Sequence, residues 1–179
     1  MRGTIRLLAA LLLARVAAPA AAQAGTPFTG PERLYTVRLP AGWRSRVDPS
    51  PEGPIATLTD GTAYVNVLAG RVDLTRTTPA LRSAMLEEGS KGYFQGWLAS
   101  LRDVARVRAR PVVRTRAFGY PALRLDVTYL RGDARDPRTG YALWVQGDRA
   151  SYFIVATAPA AAFAPADRLV AALRLDGAR

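Results

Sequence analysis

Residues 78–102 form the one long stretch in which apolar side chains recur at helical spacing, and period-two segments bracket it on both sides. A chain patterned this way must lay a single long helix on a sheet. Thr78 suits an N-cap and Pro79 the first helical position, so the helix is expected to open there and run to about Arg102. On a helical wheel Leu81, Met85, Leu86, Tyr93, Phe94, Trp97, Leu98 and Leu101 share a broad apolar arc. Glu88, Lys91, Gln95 and Arg102 form a narrow polar arc, with Glu88 and Lys91 at i,i+3. Gly89, Gly92 and Gly96 fall on the apolar side, and each costs a helix roughly 1 kcal/mol relative to Ala. Such a stripe either admits another backbone at close range or breaks the helix in two, and both outcomes are compatible with the sequence.

The flanking segments read as strands. Residues 35–39 alternate, and Pro40-Ala41-Gly42-Trp43 stops them; residues 48–54, rich in proline, form a loop. Residues 55–58 and 64–69 are joined by an Asp60-Gly61 turn. The second of these has apolar residues on both faces, so it is expected to be covered on both sides. After the helix, residues 104–117 read as a strand that Pro111 interrupts, which argues for an edge or a bulge. In residues 122–130, Leu123, Leu125, Val127 and Tyr129 face one way and Arg124, Asp126 and Thr128 the other. Residues 141–146 and 151–157 make a strand pair around Gly147-Asp148, and residues 163–175 a closing helix. The expected fold is α+β: a layered sandwich with an antiparallel sheet of about six or seven strands packed with helices.

The chain has 179 residues, a single domain's worth, with no His and no Cys. That inventory excludes a His general base, a His or Cys metal site, a thiol nucleophile, a disulfide and an acylated cysteine. Arg2 and Arg6 precede the apolar run 7–14, which is too short to span a membrane, and Ala22-Gln23-Ala24 fits a small-x-small cleavage site. Residues 1–24 are therefore expected to be a signal peptide, with Gly25, or Gln23 if Ala20-Ala21-Ala22 is used, as the first mature residue. Removing 1–24 takes away Arg2, Arg6 and Arg15 and no acid, so the formal net charge falls from +11 to +8. The expected location is periplasmic or secreted, with no transmembrane segment after cleavage.

Four features together resemble the PsbP-like superfamily. They are the opening strand Tyr35-Thr36-Val37-Arg38-Leu39 ending in Pro40-Ala41-Gly42-Trp43, the helix after Thr78-Pro79, the hairpin at Gly119-Tyr120-Pro121-Ala122, and the strand pair 141–157 followed by a helix near Ala162. That superfamily includes extrinsic photosystem subunits, a Ran-binding nucleotide-release factor and small bacterial exported proteins. The resemblance covers nearly all of 34–175 and implies a PsbP-like domain over 25–179, a sheet between helices, usually in a non-enzymatic accessory or binding role. Many bacterial members are lipoproteins, which the missing Cys rules out here. The photosystem-type cofactor roles use residues, His among them, that this chain lacks, so no functional residue is carried over.

The most distinctive local feature is arginine at alternate positions: Arg106, Arg108, Arg110, then Arg114 and Arg116. In one strand these share a face, and an even pairing register would add Arg124. That register sets Arg114 opposite Asp126 and Arg116 opposite Arg124, around a turn centred on Tyr120. Arg110, Arg114, Arg116 and Arg124 are then a candidate anion-binding patch, set against the plainer reading of a solvated strand face. Asp133 and Asp136 lack the acidic spacing of a calcium loop. Ser90-Lys91 lacks Ser-x-x-Lys spacing, and there is no Gly-rich phosphate loop. Trp43, Trp97 and Trp144, with Tyr93 and Phe94, are expected in the core, an apolar pocket being the alternative. No catalytic residue, metal ligand or cofactor is expected. The functional expectation is an exported, non-catalytic accessory or binding protein of the bacterial envelope. Its partner would be an envelope protein or an anionic lipid or polymer, and not nucleic acid.

Overall fold

The computed structural model describes residues 25–102, 105–131 and 137–176. The expected leader, Asp133 and Asp136 lie outside them. In chain order the strands before the long helix are β1 (Thr26–Thr29), β2 (Tyr35–Leu39), β3 (Arg44–Asp48), β4 (Ile55–Thr59) and β5 (Tyr64–Arg71). Helix α1 (Pro79–Arg102) follows, then β6 (Ala105–Ala109), β7 (Val113–Ala117), β8 (Tyr120–Arg131), β9 (Arg138–Gln146) and β10 (Ala150–Pro159). The chain closes with α2 (Phe163–Ala171) and β11 (Arg174–Leu175).

Eight strands form one antiparallel sheet in the order β3-β4-β5-β10-β9-β8-β6, with β7 also paired to β8. The fold class is α+β, as the patterning implies. The opening strand β2 is not part of this sheet; with β1 and β11 it makes a separate three-stranded one. The closing helix also stops earlier than expected, because Arg174 and Leu175 leave it to pair with Thr36 and Tyr35.

The two faces of the large sheet are covered differently. Tyr152, Ile154, Val145, Val65 and Val67 point to one face, where α2 and the small sheet close over them. Leu123, Leu125, Val127, Ala142 and Trp144 point to the other, under α1. In β5, Val65, Val67 and Ala69 are buried on the α2 side, but on the α1 side only Leu68 is buried while Asn66 is half-buried and Tyr64 exposed, so the cover expected on both sides is incomplete. α1 is a single unbroken helix, with Thr78 Oγ1 accepting the Leu81 N–H at 3.3 Å. It lies over β6, β8 and β9, so it shelters only half of its face of the sheet.

The pairing of β7 with β8 corrects the expected register. Arg114 lies opposite Leu123, Arg116 opposite Pro121 and Ala117 opposite Tyr120, around a two-residue turn of Phe118 and Gly119. Both turn residues have positive φ, 56° and 83°, as tight hairpin turns of this kind require. β6 pairs with the same edge of β8 one residue out of step, Arg108 opposite Thr128. The extra residue sits in the break around Pro111, whose missing N–H cannot join the ladder. A one-residue offset exchanges faces, so the arginines cannot form one stripe.

Candidate functional site

The uncovered half of the α1 face holds a groove of ≈ 590 Å³ between the second half of α1 and strands β3, β4, β5 and β10. A cross-strand row builds its floor. Asp48 pairs with Ile55, Ile55 with Leu68, and Leu68 with Phe153, so all four stand on one face. The row continues to Trp144 and Leu123 beneath the helix. The helix wall is Gly92, Tyr93, Gly96, Trp97 and Ser100. Tyr93 stacks on Trp144 with ring centroids 4.7 Å apart and tilts against Phe153 at 5.2 Å. Asp48, Glu52, Thr57 and Asn66 supply a polar rim. Arg46 donates to Asp48 at 2.8 Å and Ser50 to Glu52 at 3.2 Å.

The three helix glycines divide between two jobs. A Cβ on Gly89 would lie 3.0 Å from the Trp144 ring, so this glycine lets the helix settle on the indole. A Cβ on Gly92 or Gly96 would meet nothing within 4 Å among the described residues. Neither position admits a backbone, and neither breaks the helix. Their effect is to leave the groove open. The glycine spacing beside Tyr93 and Trp97 was the sequence signal for it, but only the placement of α1 over half the sheet turns that spacing into a groove.

Of the aromatic residues expected in the core, Phe94 and Trp144 are buried there, and the indole Nε1 of Trp144 has no hydrogen-bond partner among the described residues. Trp43 is half-buried against the other core, whereas Trp97 and Tyr93 are half-buried groove walls.

The candidate anion-binding arginines are dispersed. Arg106 and Arg108 share the Arg124 face of β8, and Arg110 follows β6, its N–H donating to the Asp126 carbonyl at 2.9 Å. Arg114 is on the opposite face and reaches α1, donating to Ser83 at 3.0 Å and to Glu87. Arg116 donates to the Gly119 carbonyl of its own turn at 2.5 Å. Arg124 donates to Asp126 at 2.8 and 3.0 Å, and its guanidinium sits 4.0 Å over the Tyr141 ring. Burial pushes the Tyr141 phenol up, reinforced by Asp167, which accepts its hydrogen bond at 3.0 Å. Arg116 does not face Arg124, as the expected register had it; Val113 lies opposite Arg124 instead.

Cyanobacterial PsbP (CyanoP) from Synechocystis aligns with this structure over 88% of this chain and 96% of its own, with a TM-score of 0.52 at 9% identity. This chain has the PsbP-like fold. A Bacteroides thetaiotaomicron protein matches over 85% of this chain with a TM-score of 0.51 at 11% identity. This chain spans 48% of that protein's length. LpqN of Mycobacterium tuberculosis, described as involved in cell envelope biogenesis, aligns over 84% of this chain and 83% of its own at 16% identity. Its TM-score is 0.37, too low to carry an argument. No family model and no curated protein sequence matches the chain. Similarity at these identities speaks to fold, not to ligand. Among the described residues, no helix is long and apolar enough to cross a membrane.

Proposed function

We propose that this chain is an exported, non-catalytic binding protein of the bacterial envelope, and that it takes its ligand in the groove beside the second half of α1. The observation that carries the reading is the pair Gly92 and Gly96. Each weakens the helix by roughly 1 kcal/mol relative to Ala, and no neighbouring atom requires either. Their missing side chains keep open a groove walled by Tyr93 and Trp97. Aromatic walls over an apolar floor suit a ligand with an apolar or aromatic body. The rim, with Asp48, Glu52, Thr57 and Asn66, suits a hydroxyl-bearing or cationic edge on that ligand. The non-catalytic part rests on the residue inventory, which lacks His and Cys. Export rests on the Arg–apolar–Ala-x-Ala order of residues 1–24. The patch of Arg110, Arg114, Arg116 and Arg124 is not part of this proposal, since its members do not share a face.

Titration with the neutral apolar dye Nile red, followed by energy transfer from tryptophan, tests the groove. Gly96→Leu is expected to keep the wild-type melting temperature or raise it, and to weaken dye binding by roughly tenfold by filling the groove. A wild type that does not bind, or a Gly96→Leu variant that binds equally well, would overturn the site. Sequencing of exported material should begin at Gly25 or Gln23, and a full-length cytosolic product would overturn export.

A further inference from the structure

A second hollow, of ≈ 440 Å³, opens at the other end of α1 and has a different lining. It lies between the first turns of α1, strand β7 and the adjoining parts of β8 and β9. Gln146 lines it. This residue is only 6% exposed, yet its side-chain amide makes no hydrogen bond among the described residues. The small part of Gln146 that stays accessible opens onto the hollow, where a ligand can take the hydrogen bonds that water otherwise makes to the amide. The period-two alternation of β9 puts Gln146 on the face of Trp144, under the head of the helix.

Two guanidinium groups reach the same hollow, each held along one edge. Arg82 donates from Nη1 to Asp148 at 2.6 Å and from Nη2 to the Leu74 carbonyl. Arg114 donates from Nη2 to Ser83 and Glu87. The Nε of Arg82, and the Nε and Nη1 of Arg114, are left without partners among the described residues. An arginine paired to an acid along one edge keeps the remainder of its fork available to a ligand. The two acids offset the two guanidinium charges, which leaves the positive end of the α1 dipole, about half a charge, uncompensated. That balance fits a monoanion and not a phosphate dianion. Leu86 and Pro121 give the hollow apolar walls, which fit an organic body and not a bare ion.

We infer that this hollow is a second ligand site, for a small organic carboxylate with an apolar body. The carboxylate accepts from the free N–H groups of Arg82 and Arg114 and from the Gln146 amide, and the body lies against Leu86 and Pro121. The site does not depend on the groove, because the two lie at opposite ends of α1.

The test is a titration of the 15N-labelled protein with hexanoate, with hexan-1-ol and with inorganic phosphate, read by amide chemical shifts. Hexanoate is expected to shift the first two turns of α1 and the Gln146 side-chain amide saturably, while hexan-1-ol and phosphate leave them in place. Gln146→Leu should weaken hexanoate roughly tenfold, the size expected for losing one hydrogen bond to a charged group. Should that variant fail to fold, Arg114→Ala at its exposed position is expected to give the same loss. The inference is overturned if hexanoate causes no saturable shift at the head of α1. It is equally overturned if hexan-1-ol binds as well, if phosphate binds better, or if a folded variant binds like the wild type.

Discussion

The two faces of the eight-stranded sheet present contrasting interiors built on the same strands. On one, α2 and the small sheet close over a continuous aliphatic layer in which Ile154, Val145, Val65 and Tyr152 are fully buried. On the other, a 24-residue helix covers only part of the surface and leaves a hollow at each end. The difference is one of shape. A small sheet and a short helix can tile a twisted surface, whereas a single straight helix crosses it along one line. The α2 face has its own hollow, of ≈ 420 Å³, between α2 and Tyr141, but more of its side chains are fully buried, so it is expected to carry most of the stability, while the two proposed sites lie on the α1 face.

That contrast can be broken most directly by truncation on each side. Ile154→Ala is expected to cost about 2–5 kcal/mol in urea unfolding, the range for a fully buried aliphatic residue. Trp97→Ala removes a larger side chain but, at a half-buried groove wall, is expected to cost about 1 kcal/mol. If the tryptophan change costs more than the isoleucine change, the assignment of stability to the closed face fails.

Alkaline titration gives a smaller effect on the closed face. Burial pushes the Tyr152 phenol from 10.0 to about 12, with Asp176 adding to the effect, and its hydroxyl donates to the Leu34 carbonyl at 3.0 Å. Tyr35 and Tyr141 are also pushed up by burial. A phenol whose folded-state pKa is raised holds its proton longer in the folded state than in the unfolded chain. Its stabilisation is complete below pH 10 and is lost as pH rises towards 12, a loss of roughly 2 kcal/mol for Tyr152 alone. Tyr152→Phe should flatten the fall in unfolding free energy across that window. An unchanged slope would remove Tyr152 as its source.

The smallest effects, and the sharpest, distinguish the glycines of α1. Gly89→Ala places a methyl group against the Trp144 ring, which is itself stacked on Tyr93 and has little room to yield. It should destabilise by about 1 kcal/mol after the gain in helix propensity is included. Gly92→Ala and Gly96→Ala should each stabilise by up to about 1 kcal/mol, since nothing opposes the added methyl. Equal signs at all three positions would show that α1 does not sit as described.

Period and punctuation made much of this fold legible. Thr78-Pro79 placed the start of α1, and the alternation of 122–130 assigned the faces of β8 correctly. The apolar residues on both faces of β5 announced a strand covered on both sides, which holds at Leu68 but not at Asn66 and Tyr64, where the sheet opens onto the groove. β3 escaped notice because its first four residues are exposed, so burial writes no pattern into it. β11 escaped because two residues are too few to show a period and helical propensity continues through them.

Local periodicity and turn chemistry sufficed for the α+β class, the order of the longer strands and the two helices, and the inward sides of β2 and β8. Tertiary structure alone decided register, sheet membership and the hollows. One residue inserted near Pro111 moves Arg114 and Arg116 to the face opposite Arg124, and no local pattern records which residue is the extra one. The same glycine spacing in α1 serves a close contact at Gly89 and an open groove at Gly92 and Gly96. Which of these a glycine serves depends on what lies across from it, and that is set by where the helix crosses the sheet.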